Sequence, residues 1–287
     1  MCRRSFSWKN HAIKRHKERA WFEKWVIEGY SVRQLVLQSR HGSAKLYRII
    51  DHWLRTTPSP DISTLEGVDH MIFDGTFLHR PVSIVALMDG KTNTIIAGKY
   101  DVRENSDSQL VAFFSPLRER GLNPVSCTTD GNPQAMRTIR MLWPDIVIQR
   151  CLVHVQRQGL KWCRTYPKTG YARKLRDIFR EVTYIYTKEE RDRFLAKLTA
   201  WEEKYGRDIA LKQEKGRVFS DIKRARSMLS GALPDMFHYL DDPGIPSSTN
   251  GLEGYFSRLK ARYRQHRGLA PEKRGNYFAW YFRLRPK

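Results

Sequence analysis

The chain has 287 residues, with 52 lysines and arginines against 30 aspartates and glutamates, and therefore a formal charge of +22. Its 40% of apolar residues are enough for a sizeable core, which excludes a disordered polyelectrolyte, and no stretch approaches the ~20 apolar residues of a membrane span. Such an excess of positive charge indicates a polyanionic partner, most often nucleic acid.

Residues 18–55 are predicted to form three short helices. Ser31 and Gln34 have the spacing of a capping box, and residues 41–43 provide a turn and a cap before the third helix. The second and third helices, joined by this short turn, are typical of a helix-turn-helix motif, although a plain three-helix bundle would show the same pattern. The side chains expected to reach DNA from these helices are Arg33, Lys45, Tyr47 and Arg48.

A proline-containing linker, residues 56–60, separates these helices from a predicted α/β region. Three apolar runs without helical periodicity predict an antiparallel meander, and helix, strand, helix and strand follow it. This order is expected of an RNase H-like fold, in which helices pack on a mixed sheet. The predicted strands are residues 68–77, 82–88, 94–100, 125–129 and 146–148, with helices from Ser106 to Gly121 and from Pro133 to Met141.

The region from Cys151 to Tyr239 is predicted to be entirely helical, with breaks at Gly206 and Gly216, and a final helix begins near Ser248. The fold class is therefore α/β: an RNase H-like mixed sheet with an all-helical insertion, preceded by a small helix-turn-helix domain. The predicted units are the helix-turn-helix region 1–57, the first part of the core 61–150, the insertion 151–246, and a last helix with a basic tail, 247–287.

The charge is unevenly distributed along the chain. Residues 1–60 carry +9, residues 61–150 carry −2, residues 151–253 carry +6 and residues 254–287 carry +9. An acidic block between basic ones suits an enzyme that holds divalent cations beside phosphates, although a mixed surface is also ordinary for a soluble domain.

Two aspartates stand where the predicted sheet would bring them together. Asp74 lies inside an apolar strand, and Asp130 follows the next strand of the α/β part, at the edge where such sheets bind ligands. Neighbouring carboxylates repel unless a cation lies between them, and Mg²⁺ or Mn²⁺ prefers such oxygen ligands. The alternatives are a turn role for Asp130 and a structural ion pair for Asp74.

Glu253 is the third candidate acid. It is the last carboxylate before a stretch that contains only basic charges, which suggests metal beside phosphate. Alternatively, Asn250 and Glu253 have the spacing of a capping box. The basic residues expected to hold the DNA backbone are Arg258, Arg262, Arg264 and Arg267, with Tyr255, Phe256 and Tyr263 available for stacking on distorted DNA.

Four segments, in this order, resemble the Mutator-like insertion-sequence transposases, a DDE group of the RNase H-like superfamily. They are the strand of Asp74, the sequence Thr128-Thr129-Asp130-Gly131, the sequence Arg150-Cys151-Leu152-Val153-His154, and the sequence Ser248-Thr249-Asn250-Gly251-Leu252-Glu253. The resemblance implies that Asp74, Asp130 and Glu253 form a metal-binding catalytic triad for two Mg²⁺ or Mn²⁺ ions, with a helical insertion before the glutamate.

Cys151 and His154 match the Cys-x-x-His signature of that family. They are expected to support the active site together with Asn250. The alternatives are ordinary packing and half of a zinc site, to which Cys163 could add a third ligand although no complete four-ligand spacing is visible. Cys2 is similar to the last piece of an amino-terminal zinc ribbon, a remnant at residues 1–8, but its partner cysteines are missing, so a working zinc site is doubtful.

The function implied is a transposase that cleaves and joins DNA strands at the ends of a mobile element. Alternatives are an RNase H-like nuclease without strand transfer and a helix-turn-helix regulator with an inert core. The expected partners are double-stranded DNA, at element ends and target, and further copies of the chain as a homo-oligomer on DNA, without a membrane. The expected location is the cytoplasm, in association with the nucleoid.

Overall fold

A computed structural model describes residues 11–59, 61, 63–211, 217–266 and 268–286. The predicted zinc-ribbon remnant at residues 1–8, the predicted break at Gly216 and the predicted DNA contact Arg267 lie outside these residues.

The amino-terminal helices are α1 (His11–Glu28), α2 (Val32–Ser39) and α3 (Ser43–Leu54). The capping box before α2 is confirmed, because the Ser31 hydroxyl accepts from the backbone N–H of Gln34, whose side chain accepts from the N–H of Ser31. Two details differ from the prediction. α1 is 18 residues long, and α3 is preceded by Gly42, which has no side chain to cap it.

The described residues contain a mixed sheet of five strands in the order β3-β2-β1-β4-β5. β1, β2 and β3 pair antiparallel as the predicted meander, and β4 and β5 continue parallel to β1. The prediction of an α/β chain with a mixed sheet is therefore confirmed. The strands are β1 (His70–His79), β2 (Val82–Asp89), β3 (Ile95–Tyr100), β4 (Ser126–Thr129) and β5 (Val147–Arg150).

One face of this sheet is covered by α4 (Asp107–Glu119) and α5 (Pro133–Leu142). Their apolar residues join Phe73, Val85 and Cys127 of the strands in one buried cluster. Because successive strand residues point to opposite faces, Ile72, Ile84 and Ala86 belong to a second cluster on the other side.

The region after β5 is helical and has its own core. Its α-helices are α6 (Leu152–Cys163), α7 (Gly170–Glu181), α8 (Lys188–Trp201), α9 (Arg207–Leu211) and α10 (Arg217–Ala232). The predicted break at Gly206 is wrong, since a π-helical turn, Glu202–Gly206, joins α8 to α9. Glycine at position 206 leaves room for the Glu202 side chain. A Cβ there would lie 2.3 Å from the Glu202 carboxylate, which binds Arg226.

The carboxyl-terminal part forms two helices, α11 (Asn250–Arg264) and α12 (Pro271–Leu284), of which only the first was predicted. They cover the second face of the sheet, where Phe278 of α12 stacks on Tyr100 of β3 at 5.0 Å between ring centroids. The expectation that Tyr255 and Phe256 stack on DNA is wrong, because both side chains are buried in this core.

The amino-terminal helices belong to the same core as α11 and α12. The Trp280 indole donates to the carbonyls of Trp53 and Thr56, and its ring meets that of Trp53 edge to face at 5.6 Å. The ring of Trp25 lies 4.0 Å from that of His266, between centroids. Among the described helices, none combines the length and apolar character needed to cross a membrane.

Candidate active site

Asp74 lies in β1, and Asp130 directly follows β4, the parallel neighbour of β1. The pairing of these strands runs from His70 with Ser126 to Ile72 with Thr128, two residues before each aspartate, and the charge of Asp130 acts on Asp74. Asp74 is only 6% exposed, and its Oδ1 accepts from the backbone N–H of Gly75 at 2.8 Å. Burial first, and then the charge of Asp130, raise the pKa of Asp74 to about 7.

The turn after β4 holds Asp130 in place. Gly131 has a φ of +91°, which favours glycine, and Asp130 Oδ1 accepts from the backbone N–H of Asn132 at 2.8 Å. Arg150 of β5 donates to the carbonyl of Asp130 at 3.1 Å. The predicted turn role of Asp130 is thus present, and it leaves the carboxylate at the sheet edge.

Glu253 reaches this edge from the first turn of α11. Its carboxylate lies 3.5 Å from Nε2 of His154 and 3.3 Å from Nη2 of Arg157, both on α6. The alternative of a capping box with Asn250 is wrong, because Thr249 occupies the N-cap position and the Glu253 side chain turns towards α6. Asp74, His154 and Glu253 each offer a ligand atom, and all three atoms lie within 4.8 Å of one another.

Cys151 and His154 are linked to this cluster through Thr249. The backbone N–H of Thr249 donates to Cys151 Sγ at 3.3 Å, and its hydroxyl lies 3.4 Å from Nδ1 of His154. A hydrogen bond with Cys151, together with the charges of Asp74 and Asp130, raises the pKa of His154 to about 9, against the effect of burial. His154 is therefore a cation beside the carboxylates at neutral pH.

The predicted supporting residue Asn250 and the alternative zinc ligand Cys163 are placed away from these contacts. Asn250 is the exposed first residue of α11. The preceding Thr249, which the sequence did not indicate, makes the supporting contact with the active site that was expected of Asn250. Cys163 lies at the opposite end of α6 from Cys151, ~18 Å away at 1.5 Å per residue, so it cannot complete a zinc site with Cys151 and His154.

Sequence reasoning also missed a carboxylate and a lysine near Asp74. Glu104, in the loop between β3 and α4, lines a cleft of about 570 Å³ together with Gly75 and Asn132. Lys260 of α11 donates from Nζ to the hydroxyl of Thr76. Burial first, and then the charge of Arg264, lower the pKa of Lys260, against the opposing effect of Asp74.

These side chains suit a hard divalent cation. Carboxylate oxygens from β1, the end of β4 and α11 approach one edge, and their mutual repulsion is relieved by a positive ion. Glu104 Oε1 has no contact with solvent and no hydrogen-bond partner among the described residues, which also fits a cation at this edge. The residues whose ligand atoms meet closely enough to hold a metal are Asp74, Glu253 and, when its ring is neutral, His154, and the charge of Asp130 acts on Asp74 and His154 from beside them.

The predicted DNA-binding residues lie on two surfaces. On α2 and α3, Arg33, Tyr47 and Arg48 are exposed, and Lys45 is half-buried. On α11, Arg258 and Arg264 are exposed, whereas Arg262 lies 3.8 Å from Glu28 of α1.

Comparison with protein-family models identifies the family to which the chain belongs. Residues 77–222, just over half of the chain, match the model of the family described as Transposase, Mutator family. The protein thus belongs to the Mutator family of transposases, and DNA is its partner. The matched range includes Asp130, Cys151 and His154, whereas Asp74 precedes it and Glu253 follows it. Among curated proteins, none matches the chain.

Proposed function

We propose that this protein is a DDE transposase that cleaves and joins DNA strands at the ends of a mobile element. The observation that carries the proposal is the meeting of carboxylates from distant segments. Asp74 and Glu253 offer ligand atoms within 4.8 Å of each other and of His154, and the charge of Asp130, at the end of the next strand, acts on Asp74 and His154. The strand order β3-β2-β1-β4-β5 supports an RNase H-like core around them.

In this proposal Asp74, Asp130 and Glu253 hold two Mg²⁺ or Mn²⁺ ions. Such ions, when bound, activate a water or a 3′-hydroxyl for attack on phosphorus and stabilise the leaving oxygen. The chain's own residues then orient the groups. His154, protonated at neutral pH, and Arg157 hold the Glu253 carboxylate from α6, while Lys260 places an ammonium group beside Asp74 on the side of Thr76.

In this proposal the two basic surfaces make different contacts to DNA. The α2–α3 pair, with Tyr47 and Arg48 exposed, supports a helix-turn-helix unit that selects the element ends. Arg258 and Arg264 on α11 continue from the catalytic glutamate along the same helix, which suits contact with the backbone next to the scissile phosphate. A homo-oligomer assembled on DNA would bring two element ends to two such sites.

Asp130→Asn tests this function, with the exposed Asp145→Asn as the matched control. Asn retains the size of Asp130 but removes the charge that binds the cation. We expect Mg²⁺-dependent cleavage of an end-bearing duplex to fall by at least ~100-fold, the scale of losing a group that acts in the transition state, while DNA binding in a mobility-shift assay survives.

The assay also separates the transposase from its alternatives. Wild type should both nick the element end and join the released 3′-hydroxyl to a target plasmid. Nicking without joined product would indicate a nuclease. Equal behaviour of wild type and Asp130→Asn in every step would indicate a DNA-binding regulator or a different acid.

A further inference from the structure

Glu104 is a carboxylate at the cleft that no step above uses. It lies in the loop between β3 and α4, and its Oε1 has no contact with solvent and no hydrogen-bond partner among the described residues. A buried carboxylate oxygen without a donor costs free energy, and proteins keep such groups where a cation or a reaction needs them.

The residue after Asp74 makes room for this carboxylate. A Cβ built on Gly75 would lie 1.4 Å from Glu104 Oε1 and 2.4 Å from its Cδ, so the carboxylate occupies the space of a side chain at position 75. Successive residues of a strand point to opposite faces. Glu104 therefore approaches β1 from the face opposite to that of Asp74.

Glu104 is also electrostatically part of the site. Burial, and then the charges of Asp130 and Asp74 in that order, raise its pKa to about 8. Asp130 has the larger effect of the two, and Asn132, whose backbone N–H donates to the Asp130 carboxylate, lines the same cleft as Glu104. A carboxylate held among other carboxylates in this way needs a positive ion to be ionised.

We propose that Glu104 is a fourth carboxylate ligand of the metal site, binding a divalent cation together with Asp130 from the sheet face opposite to Glu253. The inference rests on the proposed function, because it assigns one more residue to the same ions. It also explains why glycine follows Asp74 on β1, at a position with ordinary backbone angles.

The experiment is a titration of the full chain with Mn²⁺, followed by the electron paramagnetic resonance signal of the free ion. Glu104→Gln is compared with Glu119→Gln, an exposed glutamate on α4, and with Asp130→Asn. We expect Glu104→Gln to weaken binding of at least one ion by 10-fold or more, and Glu119→Gln to bind as wild type does.

Gly75→Ala provides a second route to the same change. Its methyl group displaces the Glu104 carboxylate without altering any acid, so the Mn²⁺ affinity of this variant should fall to a similar degree. The double variant Gly75→Ala/Glu104→Gln should bind Mn²⁺ no worse than either single variant.

A melting curve of the metal-free protein monitors folding. Glu104→Gln should melt no lower than wild type, because it removes an unpaired buried carboxylate.

Two results would overturn the inference. If Asp130→Asn loses Mn²⁺ and Glu104→Gln binds as wild type does, Glu104 is not a ligand and the proposed function stands. If wild type and Asp130→Asn give the same titration, there is no metal site at Asp130, and both proposals fail.

Discussion

Asp74 is a carboxyl group that the metal-free fold prefers to keep protonated. Its pKa of about 7 lies above the ordinary value of 3.8, first because of burial and then because of Asp130. In the unfolded chain the group ionises near the ordinary value. The stability that protonated Asp74 contributes is therefore complete below ~pH 4 and is lost as the pH rises through 7.

We expect Asp74→Asn to abolish this loss. Between pH 4 and 7, without metal, the free energy of unfolding of wild type should fall by about 2–4 kcal/mol relative to the variant, since one pKa unit corresponds to ~1.4 kcal/mol. Urea denaturation at a series of pH values measures the difference. A stability difference that does not change with pH would contradict the effect of burial on the pKa of Asp74.

Millimolar Mg²⁺ at pH 7.5 should stabilise wild type and leave Asp74→Asn unchanged.

Some site residues could be found from the sequence, and others could not. The local pattern marks each of the three acids. Asp74 interrupts an apolar strand, Asp130 stands at the end of a strand, and Glu253 lies at the start of a basic helix. Glu104 lies in a polar loop where a glutamate is unremarkable, and only the packing against Gly75, 29 positions away, brings it to the site. Thr249 was overlooked because Asn250 is an equally good N-cap residue by type.

At the level of elements, the strands were predictable and the last helix was not. Apolar runs without helical period located the first three strands, and the order of helices and strands located the other two, all to within about two residues of their observed ends. In α12, basic residues stand on both sides of a run of buried aromatic residues, so the segment resembled a basic tail. Its burial depends on β3, where a Cβ on Gly98 would lie 2.3 Å from the Phe282 ring, and on α1, and no local pattern reveals these partners.

One substitution on each of the two basic surfaces distinguishes their contributions to DNA binding. Arg48→Ala on α3 and Arg264→Ala on α11 each remove one exposed positive charge. If each contacts one phosphate or base, each should reduce the salt dependence of duplex binding by up to ~0.9 in the slope of log K against log salt. We expect only Arg48→Ala to lower the preference for element ends over random duplex, by ~5–150-fold for a lost base contact of 1–3 kcal/mol.

Competition binding with end-bearing and scrambled duplexes measures this preference. Lys168→Ala, an exposed charge in the helical region, serves as a control for general loss of charge. Loss of end preference in Arg264→Ala with Arg48→Ala unchanged would move sequence recognition from α3 to α11.

At the level of the molecule, the amino-terminal helices and the carboxyl-terminal helices form one core. Phe22, Leu46 and Ile49 of the amino-terminal helices lie in the same buried cluster as Tyr277 and Trp280. The sequence had suggested a linked domain because prolines follow residue 57. Removing residues 1–55 would uncover this cluster, so point variants on the surface of α3 are the sharper test of DNA recognition.

Trp280→Ala should reveal this shared core. The ring is 5% exposed and packs on Phe22 and Trp53, and its indole N–H satisfies two carbonyls of the first region. We expect a loss of about 3–5 kcal/mol in the free energy of unfolding. Tyr166→Ala, at an 88% exposed tyrosine, should change it by less than ~0.5 kcal/mol.

Denaturation followed by far-ultraviolet circular dichroism and by tryptophan fluorescence measures both variants. If the amino-terminal helices were an independent unit, Trp280→Ala would instead melt in two steps, with the first helices unaffected.

The position of Trp280 in this core also affects the order in which the protein can mature on the ribosome. The apolar faces of α1 and α3 are synthesised first, but the side chains of α12 that cover them emerge more than 200 residues later. At a translation rate of roughly 5–20 residues per second, that interval is about 10–45 s. During it, Phe22 and its neighbours are exposed to solvent or to chaperones, and the surface of α3 is not yet held against the rest of the protein. The α3 surface that we propose recognises DNA is therefore held in place only once α12 is complete, after Glu253 has been made.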